Sequence, residues 1–225
     1  PKRDWSSDVC SSDLNAVVDC LRALPNMTII RGNHDKVGTG LEDVDNFNHI
    51  ARQAIAWTAG ALTPESRDWV AGLPKGPVVV DHEVTICHGA PFDEDVYVFD
   101  DLDALRALHM SERPLCLYGH THVPAVFALR QPTMSLRRGQ ELAFDSPTGH
   151  DSFVVELASD ARYLINCGAV GQPRDGDPRA SYGTFDTSSR TLTIMRTEYD
   201  IKTAQRKILA AGLPDVLAQR LSVGR

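Results

Sequence analysis

Three short polar motifs, each set directly behind a run of β-formers, constrain this chain more than any other feature. Residues 27–30 lead into Arg31-Gly32-Asn33-His34-Asp35, residues 83–87 into His88-Gly89-Ala90-Pro91, and residues 114–118 into Gly119-His120-Thr121-His122. Short runs of Val, Ile, Leu and Thr bounded by Gly, Pro and Asn read as buried strands. Histidines and an asparagine repeated at strand ends suggest a sheet that gathers polar side chains at one edge, where α/β folds place their ligands. One such histidine alone is usually an ordinary satisfied polar residue. Three clusters in the same setting make a site.

Between these runs the apolar spacing is helical. Val17, Val18, Leu21 and Leu24 predict a helix over residues 15–24, closed by Pro25-Asn26. Residues 46–59 and 64–72 carry Trp57 and Trp69, both read as core, and residues 100–109 form a further helix. Residues 77–80 and 83–87 read as a hairpin, and 124–129 as the strand after the Gly-His-Thr-His turn. Residues 131–151, with Arg137 and Arg138, read as a loop or hairpin extension. Strands follow at 152–157 and 162–167, then a Gly/Pro/Asp-rich turn region over 168–181. Residues 182–186 and 191–196 pair across Ser188-Ser189, and helical residues 201–211 with a short helix to 221 complete the pattern. Helices alternating with strands, then strands in succession, predict an α/β fold with two sheets packed face to face and helices outside.

Charge narrows the partners. With 23 Lys and Arg against 30 Asp and Glu, the net charge is -7, which disfavours stable nucleic-acid binding or an acidic membrane face. An acidic chain handles phosphate when bound cations supply local positive charge. The five cysteines are scattered, with no zinc-site spacing, and fit buried thiols in a reducing cytoplasm. No apolar run reaches the roughly 18 residues of a membrane span.

The first fourteen residues have a different character. Residues 4–14 (DWSSDVCSSDL) repeat Ser-Ser-Asp and show neither helical nor strand period. They resemble a translated sequencing adapter, so residues 1–14 are read as a non-native tail and 15–225 as one domain.

The donor types suit phosphoryl chemistry. A phosphate ester resists attack because its oxygens repel a nucleophile, and two divalent cations roughly 3.5–4 Å apart offset that charge. Imidazole and amide oxygen donors without thiolate favour manganese, iron or zinc. His49, His82, His109 and His150 lack motif context and read as surface or helix-end residues.

Gly-Asn-His-Asp, Cys-His-Gly-Ala-Pro and Gly-His-Thr-His, in that order, resemble the calcineurin-like metallophosphoesterases. Asn166-Cys-Gly-Ala-Val-Gly-Gln-Pro-Arg174 is similar to a stretch in their small bacterial phosphodiesterase-like and diadenosine-tetraphosphatase-related branch, with Cys167 where that branch has Pro. The resemblance implies a four-layer αββα sandwich of two mixed sheets flanked by helices. It also implies two divalent metal ions, with Asn33, His88 and His120 on one and His122 on the other. His34 would contact the phosphoryl group and protonate the leaving oxygen, and Asp35 would fix its tautomer. Tyr97, soon after His88 in the sequence, is separately expected to border the substrate. The family's D-x-H and G-D-x-x-D blocks do not occur in the 225 residues. An N-terminal strand-helix-strand unit is therefore expected to be missing, and these residues alone are expected to be inactive. The implied activity is hydrolysis of phosphomonoesters or phosphodiesters by a metal-activated hydroxide, on a small phosphorylated substrate such as a nucleotide. Alternatives are a dinucleoside polyphosphate hydrolase, a protein phosphatase, or a non-catalytic protein-binding scaffold on the same fold.

Overall fold

The computed structural model describes residues 13–130 and 141–225. Residues 1–12, within the stretch whose sequence reads as a non-native tail, and Arg137 and Arg138 lie outside them. The chain forms two compact units: residues 1–75 with 198–223, and residues 76–197 with 224–225.

The first unit opens with helices α1 (Leu14–Ala23), α2 (Asn33–Gly38), α3 (His49–Ala61) and α4 (Pro64–Ala71). The Asn48 side chain caps α3 by accepting from the Ala51 amide, and Thr63 caps α4 through Ser66, with Pro64 in the first turn. Asn15 ties α1 to the α3–α4 corner: its amide donates to the Ala61 carbonyl at 2.8 Å and its oxygen accepts from the Thr63 amide at 2.9 Å. The expected strand at 27–30 does not form, because no strand lies beside it among the described residues to complete a ladder. Met27 is exposed there, and Arg31 donates its amide to the Pro74 carbonyl instead.

The second unit holds the strands. A six-stranded sheet contains β1 (Val78–Val79), β2 (Val84–Ile86), β3 (Leu115–Tyr118), β4 (Ala125–Arg130), β5 (Glu141–Asp145) and β7 (Ala161–Asn166), in the order β1-β2-β3-β7-β4-β5. Strands β2, β3 and β7 run parallel, while β1, β4 and β5 run antiparallel to their neighbours. A three-stranded sheet orders β6 (Ser152–Glu156), β9 (Thr191–Thr197) and β8 (Ala180–Asp186). This second sheet is antiparallel throughout rather than mixed, since β8 and β9 are joined by a tight turn and β6 pairs with β9 head to tail. The successive strands 152–157 and 162–167 thus go to different sheets.

Alternation of side chains assembles the unit. Ala125, Phe127, Leu129 and Leu164 share one face of the large sheet with Ala104, Ala107 and Leu108 of helix α5 (Asp101–Met110). On the opposite face Val126, Tyr163 and Ile165 meet Val155, Leu192 and Ile194 of the small sheet. Residues adjacent along β4 and β7 point to opposite cores, as period two requires.

Past β9 the chain returns to the first unit as α6 (Ile201–Ala210), α7 (Asp215–Gln219) and a 3-10 turn (Arg220–Val223). Ala204, Ile208, Leu213, Ala218 and Leu221 form its core, and Ala54 and Trp57 pack against it. Trp57 is half-buried against that core, on the side its helical spacing predicts, and Trp69 is likewise half-buried.

Candidate active site

Strand direction explains where the histidines of the second unit meet. Because β2 and β3 are parallel neighbours, the residues after each strand emerge at the same edge. His88 follows β2 through Cys87, and Gly119 to His122 follow β3. The Gly119 amide donates to the His88 carbonyl at 2.8 Å, joining the two motifs by main chain. The His88 and His120 rings lie 4.7 Å apart, edge to face.

The turn that carries His120 and His122 crosses the end of β7. Tyr118 and Ala125, which bracket it, both register against Asn166, the last residue of β7. Asn166 is completely buried and uses its whole amide to hold the turn. Its Nδ2 donates to the Gly119 carbonyl at 2.8 Å and to Thr121 Oγ1 at 3.0 Å, while its Oδ1 accepts from the Gly168 amide at 2.8 Å. The His-Thr-His segment is not extended. His120 and His122 take φ of 65° and 59°, and the positive φ falls on the histidines rather than on Gly119. Each left-handed non-glycine residue costs roughly 1–2 kcal/mol, which the Asn166 contacts offset.

Both rings are oriented by carbonyls. His122 Nδ1 lies 2.8 Å from the Gln172 carbonyl, and the Arg174 amide donates to the His122 carbonyl at 3.1 Å. His120 Nε2 lies 3.2 Å from the Asp95 carbonyl, and the Tyr97 ring stacks on His120 with centroids 3.7 Å apart. A carbonyl against one ring nitrogen favours the tautomer that carries the proton there, on Nδ1 in His122 and on Nε2 in His120.

The loop supplying Asp95 and Tyr97 closes over Gly89. A Cβ at Gly89 would stand 2.5 Å from the Val96 carbonyl oxygen and 2.6 Å from that of Glu94, so only glycine permits this approach. Behind the site Cys87 Sγ and Cys116 Sγ lie 3.6 Å apart in the core, and the thiol contact with Cys116 pushes Cys87 up. Burial pushes the Cys167 thiol up to about 11. These cysteines are free thiols.

Asn33, His34 and Asp35 begin α2 in the first unit. The Gly32 amide donates to Asp35 Oδ2 at 2.7 Å, a one-way cap that fixes the bend from chain to helix, since glycine has no side chain to accept in return. Burial raises the Asp35 carboxyl above its ordinary range, and the Gly32 contact opposes that rise. The exposed His34 ring meets Phe47 edge to face at 5.1 Å. His49, His82, His109 and His150 are exposed.

The donor chemistry fits the nitrogen share of a divalent metal centre: imidazoles of fixed tautomer, two of them in ring contact. Among the described residues no three of His, Cys, Asp and Glu gather as a metal-binding group. Reading residues 162–167 as a strand and 168–181 as a turn region does not mark Asn166 and Gln172 as supports of the site. The available signal was an asparagine ending an apolar strand, followed within two residues by glycine.

A phosphoester-hydrolase class is what this fold and site define. Residues 6–190 match the calcineurin-like phosphoesterase superfamily domain, and the chain belongs to that superfamily. Metal-dependent phosphoester hydrolysis is the general activity that membership carries. The chain is similar to an uncharacterized protein of Methanocaldococcus jannaschii, 32% identical over 219 residues covering 94% of this chain and 81% of the relative. A crystal structure of a metallophosphoesterase from Sphaerobacter thermophilus is 35% identical with a TM-score of 0.74, covering 94% of this chain and 82% of that one. A hypothetical protein of Pyrococcus horikoshii OT3 shares the fold at 17% identity and a TM-score of 0.66, over 98% of this chain and 82% of that one.

Proposed function

We propose that this domain, when it also carries the D-x-H and G-D-x-x-D blocks absent from these 225 residues, hydrolyses phosphomonoesters or phosphodiesters at a centre of two divalent cations, manganese, iron or zinc, with residues 15–225 belonging to one phosphoesterase domain. The observation that carries this reading is the meeting of His88 and His120 at the shared edge of β2 and β3, with their rings 4.7 Å apart. Asn33, His88 and His120 hold one cation and His122 the other. When bound, the cations offset the charge on the phosphoryl oxygens and lower the pKa of water. His34 contacts the phosphoryl group and protonates the leaving oxygen, Asp35 raises its basicity, and Tyr97 borders the substrate. The substrate is small and phosphorylated, nucleotides included. The free thiols support work in a reducing cytoplasm.

The test is hydrolysis of an aryl phosphate and an aryl phosphodiester with manganese, zinc or iron. It is run on this chain, expected to be inactive alone, and on one that also carries the D-x-H and G-D-x-x-D blocks, in which turnover is expected and the variants are compared. His88→Ala is expected to lose both bound metal and turnover. His34→Ala is expected to keep its metal and lose roughly 10²–10⁴ in rate. Equal activity in the two variants removes the assigned roles.

A further inference from the structure

His120 is the inner end of a ladder of aromatic rings that reaches solvent. Tyr97 stacks on it at 3.7 Å, and Phe99 lies parallel to Tyr97, with centroids 5.6 Å apart and planes 2° apart. Phe99 is 66% exposed and Tyr97 43%, whereas Val98 between them is 2% exposed and belongs to the core. The two rings therefore stand on one side of an extended segment whose other side is anchored, and period two keeps them together. The segment is held from behind as well. Ala90 and Asp93 bridge, the Arg106 guanidinium sits 3.7 Å over the Phe92 ring, and Gly89 lets the loop backbone close.

A phenylalanine left two-thirds in water, and held parallel to a ring already stacked on a candidate metal ligand, is a preorganised π surface. We infer that the Phe99–Tyr97–His120 ladder binds the planar ring of the substrate, so that phosphoesters of aryl or nucleobase-bearing groups are preferred to aliphatic ones. This inference rests on the phosphoesterase reading and adds the class of group attached to the phosphate. Every aromatic ring presents a π face, so stacking selects planar groups without fixing which. The metal end grips the phosphoryl oxygens, and the ladder grips the ring some atoms away.

The experiment uses a chain that also carries the D-x-H and G-D-x-x-D blocks, with Phe99→Trp and with manganese present. The protein's own tryptophans all lie within residues 1–75, so the introduced indole is the sole one of the second unit. Emission is followed, against the unsubstituted chain, on titration with adenosine monophosphate, phenyl phosphate, glycerol phosphate and adenosine. The first two are expected to quench the indole and to bind the unsubstituted chain roughly 5- to 100-fold more tightly than glycerol phosphate by calorimetry. The tighter of the two distinguishes a nucleobase from an aryl source. Phe99→Ala is expected to erase that difference, and Leu102→Ala, a similar loss of exposed apolar surface, to retain it. Equal affinity for all three phosphates, or a preference that survives Phe99→Ala, overturns the inference. Quenching by adenosine with no binding of glycerol phosphate keeps the ladder and removes the phosphoesterase reading.

Discussion

Asn166 shows how one neutral side chain holds a strained pair of histidines. It satisfies Gly119, Thr121 and Gly168 from a fully buried position, so Asn166→Ala strands those partners without water. The expected cost is about 1–3 kcal/mol, read by urea unfolding, with weaker manganese binding by calorimetry as His120 and His122 relax from positive φ. Gly89 is a steric counterpart. Gly89→Ala places a methyl against two carbonyl oxygens that belong to backbone and cannot swing aside, so the 94–97 loop must move. A loss of about 1–3 kcal/mol is expected, together with loss of the Tyr97–His120 stack, visible as a shift of the His120 ring resonances. Neither role follows from residue type. The histidines themselves were legible because imidazoles cluster at strand ends for few reasons; their supports were not, because an asparagine or glycine near a turn is ordinary until its partners are placed.

At the scale of elements, the most charged feature is the junction of β8 and β9 with the 175–179 turn. Arg196 and Asp175 pair with side chains only 2% and 1% exposed, and Arg179 bonds both Asp177 and Asp151. Removing one member of a buried pair leaves an uncompensated charge, so Arg196→Ala is expected to cost roughly 3–5 kcal/mol in denaturant unfolding. The Arg179 hydrogen bond holds the Asp177 carboxyl below its ordinary value of 3.8. A carboxyl depressed on folding adds stability that is present above pH 3.8 and is lost as pH falls through its folded value. Thermal melts should therefore place Asp177→Asn below the unsubstituted protein at pH 6, with the gap closing in acid below that point. Element order was largely readable, helices and most strands included, since periods of 2 and 3.6 are local. The strand expected at 27–30 was not, because a strand exists only where another edge completes it.

Across the whole molecule, the first unit is built from two distant stretches of chain. Ile208 is 3% exposed in a core that α6 and α7 share with Ala54 and Trp57. Ile208→Ala is expected to destabilise that unit by about 2–5 kcal/mol. All tryptophans lie within residues 1–75, so the loss should appear first in the indole emission and only in part in far-ultraviolet dichroism, which the strands of the second unit also supply. Coincident transitions by both probes would show the two units unfolding as one.

By itself the sequence determined the layered α/β class, the identity of the histidine motifs and the type of donor they offer, because these depend on local periodicity and on chemistry carried by each residue. Only the tertiary structure decided which strands became neighbours, that 152–156 and 161–166 part to different sheets, and that Asn166 stands beneath the His120–His122 turn. Strand order and direction come from pairing between distant segments, and such pairing leaves no periodic trace in any one of them.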